Sequence, residues 1–278
     1  MAASVRPLLR IVRSRLRELR ARAGPAVDDL SVAAGRVLTR AGTTLLLYPH
    51  RDERIDIPHR ALVEDLVEYT GLDDMQITAL LQRRHESFRA EWHALPQELR
   101  KESWFYLSSR TYLFANAVHE ADALADALAR LLPGPSEILD FGGGAGNLAL
   151  ALAASGHRVD YVERSALQKD FVRFRIQKHG FEGRVHVLDE WNALAREAYE
   201  LVCAFDVLEH IGSLAATLEG SLLPALKPKG ILAECSPFVR TLSNPMHHEN
   251  EADLIRVMRA HGFSAVREDE LFRLWRRD

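Results

Sequence analysis

The segment "ILDFGGGAGNLALALAASG", residues 138–156, constrains the fold of this chain more than any other. Four glycines, Gly142, Gly143, Gly144 and Gly146, fall within five positions between a short apolar run and an Ala/Leu-rich stretch. Glycine loses more backbone freedom on folding than any other residue, so such a density is costly unless something must approach the main chain closely. A strand, a glycine turn and a helix in that order present free amides at a helix N-terminus, where a ligand can lie on the backbone.

The chain after residue 136 continues the alternation. "HRVDYVE", "GRVHVLD", "ELVCAFDVL" and "ILAECSPF" read as further strands, the fourth strand of the series apolar enough to be buried on both faces. Residues 147–155, 166–179, 214–226 and 251–263 read as the intervening helices. "SAVRED" and "LFRLWRR" close the chain as two strands with almost no connection, so the last must run antiparallel. The expected fold is α/β: a Rossmann-like, doubly wound, mostly parallel seven-stranded sheet with right-handed crossovers and an antiparallel last strand, preceded by a helical N-terminal lid region.

The front of the chain differs. Seven arginines between Arg6 and Arg22 face one acid, Glu18, and Val5, Leu8, Val12, Leu16 and Leu19 recur at helical spacing. Residues 1–40 therefore read as a basic helical arm that docks on its own protein or a second copy, or meets an anionic surface; a mitochondrial presequence has the same composition. Residues 41–118 read as a helical lid or substrate region, and 119–278 as the ligand-binding domain. The aromatic residues Tyr106 and Tyr112 lie in the segment expected to cover the site, where a water-excluding lid has to come from.

Charge and composition exclude several classes. A net charge of −3 over 278 residues makes no electrostatic case for nucleic acid. No apolar run is long enough to span a membrane. Cys203 and Cys235 sit in apolar runs and suit a reducing, cytoplasmic setting.

The identity of the ligand follows from the residues around the glycines. Gly142, Gly144 and Gly146 make a G-x-G-x-G pattern, and Glu163, 21 positions beyond Gly142, stands where a carboxylate accepts from a ribose diol. The dinucleotide fingerprint needs glycine where this chain has Asn147, and no G-K-S/T follows for a P-loop. Asp140, just ahead of the glycines, would repel a pyrophosphate and suits a ligand carrying an ammonium group, as S-adenosylmethionine does.

Taken together, these motifs resemble the class I S-adenosylmethionine-dependent methyltransferase family, of the type acting on small molecules. "LDFGGGAGNLA" is similar to its D-x-G-x-G-x-G loop, "VDYVERS" to its second-strand acid motif, "VHVLDEW" to its adenine-facing segment and "FDVLEHI" to its fourth-strand motif. "LLPALKPKGIL" resembles its L-K-P-G-G turn, with Lys229 in place of the first glycine. The resemblance implies that Asp140 and the glycines hold the methionine end, that Glu163 accepts from the ribose, and that Asp189 or Glu190 bonds the adenine amino group. It implies that Asp206 lies beside the cofactor, facing the acceptor.

Methyl transfer from a sulfonium needs positioning first and a base only if the acceptor must lose a proton. His210 and His247 are the candidate catalytic residues, with His248 a candidate substrate contact. His247, His248 and Glu249 also invite a metal reading, but adjacent histidines do not share a helix face and no spaced third ligand is evident, so no metal is expected. The partner expected is a small-molecule acceptor. Two other uses of the fold stay open: a cyclase or aminocarboxypropyl transferase that consumes the same sulfonium and releases methylthioadenosine, and a non-catalytic cofactor-binding module. A nucleic-acid methyltransferase would carry N-P-P-Y/F where this chain has "DVLEHI".

Overall fold

The computed structural model describes residues 57–278 except 98–99, 101–104, 108, 118–120, 192–193, 242–243, 269–271 and 278. The basic arm and the first part of the proposed lid lie outside the described residues. The chain divides into two compact units, one of residues 57–239 and 246–278 and one of residues 1–56 and 240–245. Only Arg240, Thr241, Asn244 and Pro245 of the second are described; there the Asn244 amide donates to Thr241 Oγ1 at 2.9 Å.

The front of the first unit is helical, as the sequence leads one to expect. Helix α1 (Ile57–Thr70) ends at Gly71, with φ +72°, whose amide donates a hydrogen bond to the Val67 carbonyl. Helix α2 (Asp74–Gln82) opens on a capping box: Asp73 accepts from the Gln76 amide, and the Gln76 side chain accepts from the Asp73 amide. The helical run is broken at Arg83, and α3 (Arg84–Ala94) follows. Short α4 (Tyr112–Asn116) and α5 (Asp122–Ala129) lead into the sheet.

Seven strands then form one sheet: β1 (Glu137–Phe141), β2 (Arg158–Val162), β3 (Val185–Leu188), β4 (Tyr199–Phe205), β5 (Leu226–Cys235), β6 (Phe263–Glu268) and β7 (Arg273–Arg277). Their order is β3-β2-β1-β4-β5-β7-β6, and β7 runs antiparallel to both neighbours while the pairs among β1–β5 are parallel. The direction of the order reverses between β1 and β4, which opens a crevice at their carboxyl ends.

The crossover helices are α6 (Asn147–Ala154), α7 (Ala166–His179), α8 (Leu214–Thr217) and α9 (Glu251–Ala260). Ser165 caps α7 by accepting from the Gln168 amide, and Gly180 at φ +72° ends it. The expected helix over 214–226 is interrupted: α8 passes through a π-helical turn, Leu218–Leu222, before a last helical turn at Leu223–Ala225.

Alternation along the central strands fills both faces of the sheet. Ile138, Leu201, Cys203, Ile231 and Ala233 pack with α5, α6 and α7; Leu139, Phe141, Val202, Ala204 and Leu232 pack with α8 and α9. Each fully buried Leu or Ile contributes about 1.5–3 kcal/mol relative to exposure. The front helices add a third cluster, in which Leu62, Leu66, Ile77 and Leu113 meet Phe171 of α7 and Ala145 of the glycine turn.

Candidate active site

The glycine turn sits at the carboxyl end of β1, where the register pairs Phe141 with Val162 of β2. Gly142 donates its amide to the Val162 carbonyl at 2.8 Å. Its φ is +75°, and a Cβ there would lie 2.4 Å from Val207 Cγ2, so only glycine lets the turn pack under the end of β4. At Gly146, φ is +77° and a Cβ would meet Val172 of α7 at 2.7 Å. The glycines thus serve packing of the turn as well as access to its backbone.

Two buried carboxyl groups frame this turn. Glu163 accepts from the Gly144 amide (3.2 Å), the Arg164 amide (2.7 Å) and the Ser165 amide (3.0 Å). Burial raises its pKa despite those bonds. Asp140 is 3% exposed, and its Oδ2 has no hydrogen-bond partner. Burial first, and the Glu163 charge second, push its carboxyl up to about 7. An orphaned buried carboxylate asks for a cationic donor, and an ammonium group supplies one. The residues present therefore fit S-adenosylmethionine: Asp140 and the turn for its amino-acid end, Glu163 for the ribose.

A cavity of about 330 Å³ opens beside them. Gly142, Val162, Glu163 and Arg164 line one end; Asp206, His210, Tyr106 and Tyr112 line another. Asp206 follows β4 directly, held at φ +50° with its amide bonded to the Cys235 carbonyl at 2.8 Å. Tyr106, from a helical turn at 105–107, places its hydroxyl 2.8 Å from His210 Nδ1. The Tyr106 and Tyr112 rings lie 4.8 Å apart and are buried, with Phe88 stacked 5.7 Å from Tyr112. The front helices thus wall the cavity.

Behind His210 lies His247, their ring centroids 4.6 Å apart and nearly perpendicular. Burial and the neighbouring His247 and His248 rings lower the proton affinity of His210. His248 bonds through its main chain, its amide donating to the Glu209 carbonyl at 2.7 Å.

Not every expected residue borders the cavity. Asp189 accepts from Arg173 of α7 at 2.8 Å and is largely exposed, and Glu190 is exposed beside it. The next residue, Trp191, does line the cavity and packs its ring on Phe141 at 6.1 Å. Sequence reasoning missed Trp191, Arg164 and Glu209. All three had a signal, each standing inside a motif already singled out: Arg164 in "VDYVERS", Trp191 in "VHVLDEW" and Glu209 in "FDVLEHI".

Residues 116–277, more than half of the chain, match the family described as a methyltransferase domain. No curated protein matches the sequence significantly. Among solved structures, the cyclase SpnF is 22% identical with a TM-score of 0.45, aligned over 52% of this chain and 58% of its own length. A SAM-dependent methyltransferase from Aquifex aeolicus is 19% identical with a TM-score of 0.45, over 54% of this chain and 87% of that one. The 1,6-didemethyltoxoflavin-N1-methyltransferase of Burkholderia thailandensis, with its substrate and S-adenosylhomocysteine bound, is 17% identical with a TM-score of 0.44, over 58% and 79%.

Proposed function

Because the chain belongs to the methyltransferase domain family, we propose that it methylates a small-molecule acceptor bound between the front helices and the carboxyl ends of β1 and β4. The cofactor is S-adenosylmethionine. When bound, it supplies an electrophilic methyl group on a sulfonium. The observation that carries the reading is the continuity of the cavity, whose walls include both the Glu163 end and the Tyr106–His210 end.

The chain's own residues then have separable tasks. Asp140 and the glycine turn hold the charged amino-acid end, and Glu163 accepts from the ribose. Trp191 offers an apolar face for the base, with Asp189 and Glu190 nearby in sequence for its amino group. Tyr106 and Tyr112 exclude water and limit the acceptor's size. Asp206 and His210 face the acceptor, with His247 buttressing the His210 ring. Holding the acceptor in line with the transferring group is the main contribution asked of such a site, since alignment alone is worth several kcal/mol of barrier.

Calorimetry with S-adenosylhomocysteine and with NAD tests the cofactor site. Tight binding of the first and none of the second is expected, and Glu163→Ala should weaken it by about 1–3 kcal/mol. Mass spectrometry of the nucleoside product, made with the acceptor present, tests the chemistry. S-adenosylhomocysteine is expected; enzyme-dependent methylthioadenosine in its place would replace methyl transfer with attack at the aminocarboxypropyl carbon.

A further inference from the structure

We propose that Glu209, His210 and His247 form a binding site for one divalent transition-metal ion at the acceptor end of the cavity. One ligand atom from each lies within 4.8 Å of the others, a spread that a single central ion can span. The chain brings Glu209 and His210 there on the short 3₁₀ turn Leu208–His210 after β4, and His247 from the segment between β5 and α9. The third ligand that spacing along the chain does not supply is thus provided by the fold.

Glu209 makes the case for a cation. Its residue is 0% exposed, and neither carboxylate oxygen meets a donor in good hydrogen-bond geometry, the Ser236 hydroxyl being the one neutral donor that acts on it. Among the described residues no lysine or arginine pairs with it; His210 Nε2 is 3.7 Å from its Oε1. The other charges acting on it, Asp206 and Glu234, are negative. A buried carboxylate without a counter-charge is expensive, and a divalent ion offsets that cost directly.

The histidines are oriented for the same task. His247 Nδ1 lies 3.0 Å from the Pro237 carbonyl oxygen. The Val239 carbonyl also draws on this ring; a carbonyl only accepts, so with the proton on Nδ1, toward Pro237, Nε2 presents the electron pair. A second-shell carbonyl of this kind is the usual way a metal-ligating imidazole is held in one tautomer. His210 has the Tyr106 hydroxyl at its Nδ1, which can accept in the same way, while the Met246 carbonyl also draws on the ring. Two imidazoles and one carboxylate suit zinc, cobalt or iron rather than magnesium or calcium. His210 lines the cavity, so the positions left open on the ion face the acceptor and can be filled by water or by an acceptor oxygen. Only that last consequence rests on the methyl-transfer reading.

The test uses the full chain, without an affinity tag, stripped by chelator and titrated with Co²⁺ and Zn²⁺. One equivalent of Co²⁺ should bind and show the visible absorption of a site with nitrogen and oxygen ligands, and Zn²⁺ should displace it. Glu209→Gln and His247→Gln should each weaken binding by at least about 10-fold, the loss that even outer partners of a ligand produce. Their affinity for S-adenosylhomocysteine should stay within about twofold, which shows that they fold. Wild-type protein that takes up no Co²⁺ overturns the site, whatever the variants do. So does uptake that both variants retain. Wild-type protein that binds S-adenosylhomocysteine but takes up neither metal would overturn the site and leave the methyl-transfer reading standing; wild-type protein that takes up metal but not the nucleoside would do the reverse.

Discussion

Asp140 is the residue on which cofactor binding should turn with pH. In the unfolded chain its carboxyl titrates near 3.8; in the fold, burial and the nearby Glu163 push it up to about 7. A raised acid binds its proton more tightly in the folded state, so its contribution to stability is greatest at low pH and declines as pH rises from about 4 to 7. An ammonium group against Asp140 favours the carboxylate and lowers that pKa again. Cofactor binding should therefore release a proton at about pH 6–7, and affinity should rise with pH through that window and level off above it. Calorimetry with S-adenosylhomocysteine in buffers of different ionisation enthalpy checks this. A binding enthalpy independent of buffer would place the ammonium elsewhere, and Asp140→Asn should abolish the buffer dependence.

Between elements, the connection from α8 into β5 stores a local strain that one substitution can release. The register of β4 on β5 steps from Tyr199–Leu226 directly to Leu201–Ile231, so residues 227–230 bulge out of the ladder. Lys229 in that bulge has φ +64°, a conformation that costs a residue with a Cβ roughly 1 kcal/mol. The next residue must stay glycine, because a Cβ on Gly230 would approach the Lys227 carbonyl oxygen to 2.9 Å. Lys229→Gly is thus expected to raise stability by up to about 0.5 kcal/mol, the relief of strain less glycine's extra unfolded-state freedom. Denaturant unfolding measures it, and a loss of stability would show that Lys229 contributes more through its side chain than its backbone costs. The position was visible in the sequence as the one departure from the L-K-P-G-G pattern. The π-helical turn inside α8 was not, because nothing in "LEGSL" distinguishes it from ordinary helix.

At the scale of the whole unit, one buried charge cluster joins the front helices to the sheet. Asp65 of α1 is fully buried and bonds Arg175 of α7 at 2.8 Å, with Lys178 and His179 each at 3.0 Å. Arg175 continues to the Ala145 carbonyl and to Asn147 Oδ1, both at 2.7 Å, so the cluster also braces the glycine turn. Burial raises the Asp65 carboxyl, but the hydrogen bonds from His179, Arg175 and Lys178 and the Arg175 charge outweigh it and hold the carboxyl below its ordinary value. A depressed acid contributes stability that is present above its unfolded pKa and is lost as pH falls through the folded one. Asp65→Asn leaves Arg175 buried without a counter-charge and should cost about 3–5 kcal/mol at neutral pH. The difference from wild type should begin to shrink as pH falls below about 4, where the unfolded chain takes up the proton, and should level off once pH has passed the lowered folded value and the wild type too has lost the charge. Thermal unfolding across pH checks it; a variant as stable as wild type at pH 7 would mean that the lysine and histidine, not Asp65, organise the cluster.

The order of strands and helices after residue 136 and the identity of the cofactor were legible in the sequence, because both rest on local chemistry. Period-two alternation marks strands, and a cap such as Ser165 or Gly180 marks a helix end within a few residues of itself. The glycines, Asp140 and Glu163 lie close along the chain, on adjacent strands with a short crossover between them. What only the tertiary structure decided is what must be assembled from distant segments. Tyr106 reaches His210 across 104 residues, and His247 comes to Glu209 and His210 from the far side of β5. The same folding turned Asp189 onto Arg173 and left Trp191 at the cavity. Such contacts depend on side-chain direction at strand ends and on loop closure, and neither has a period or a spacing that a sequence can display.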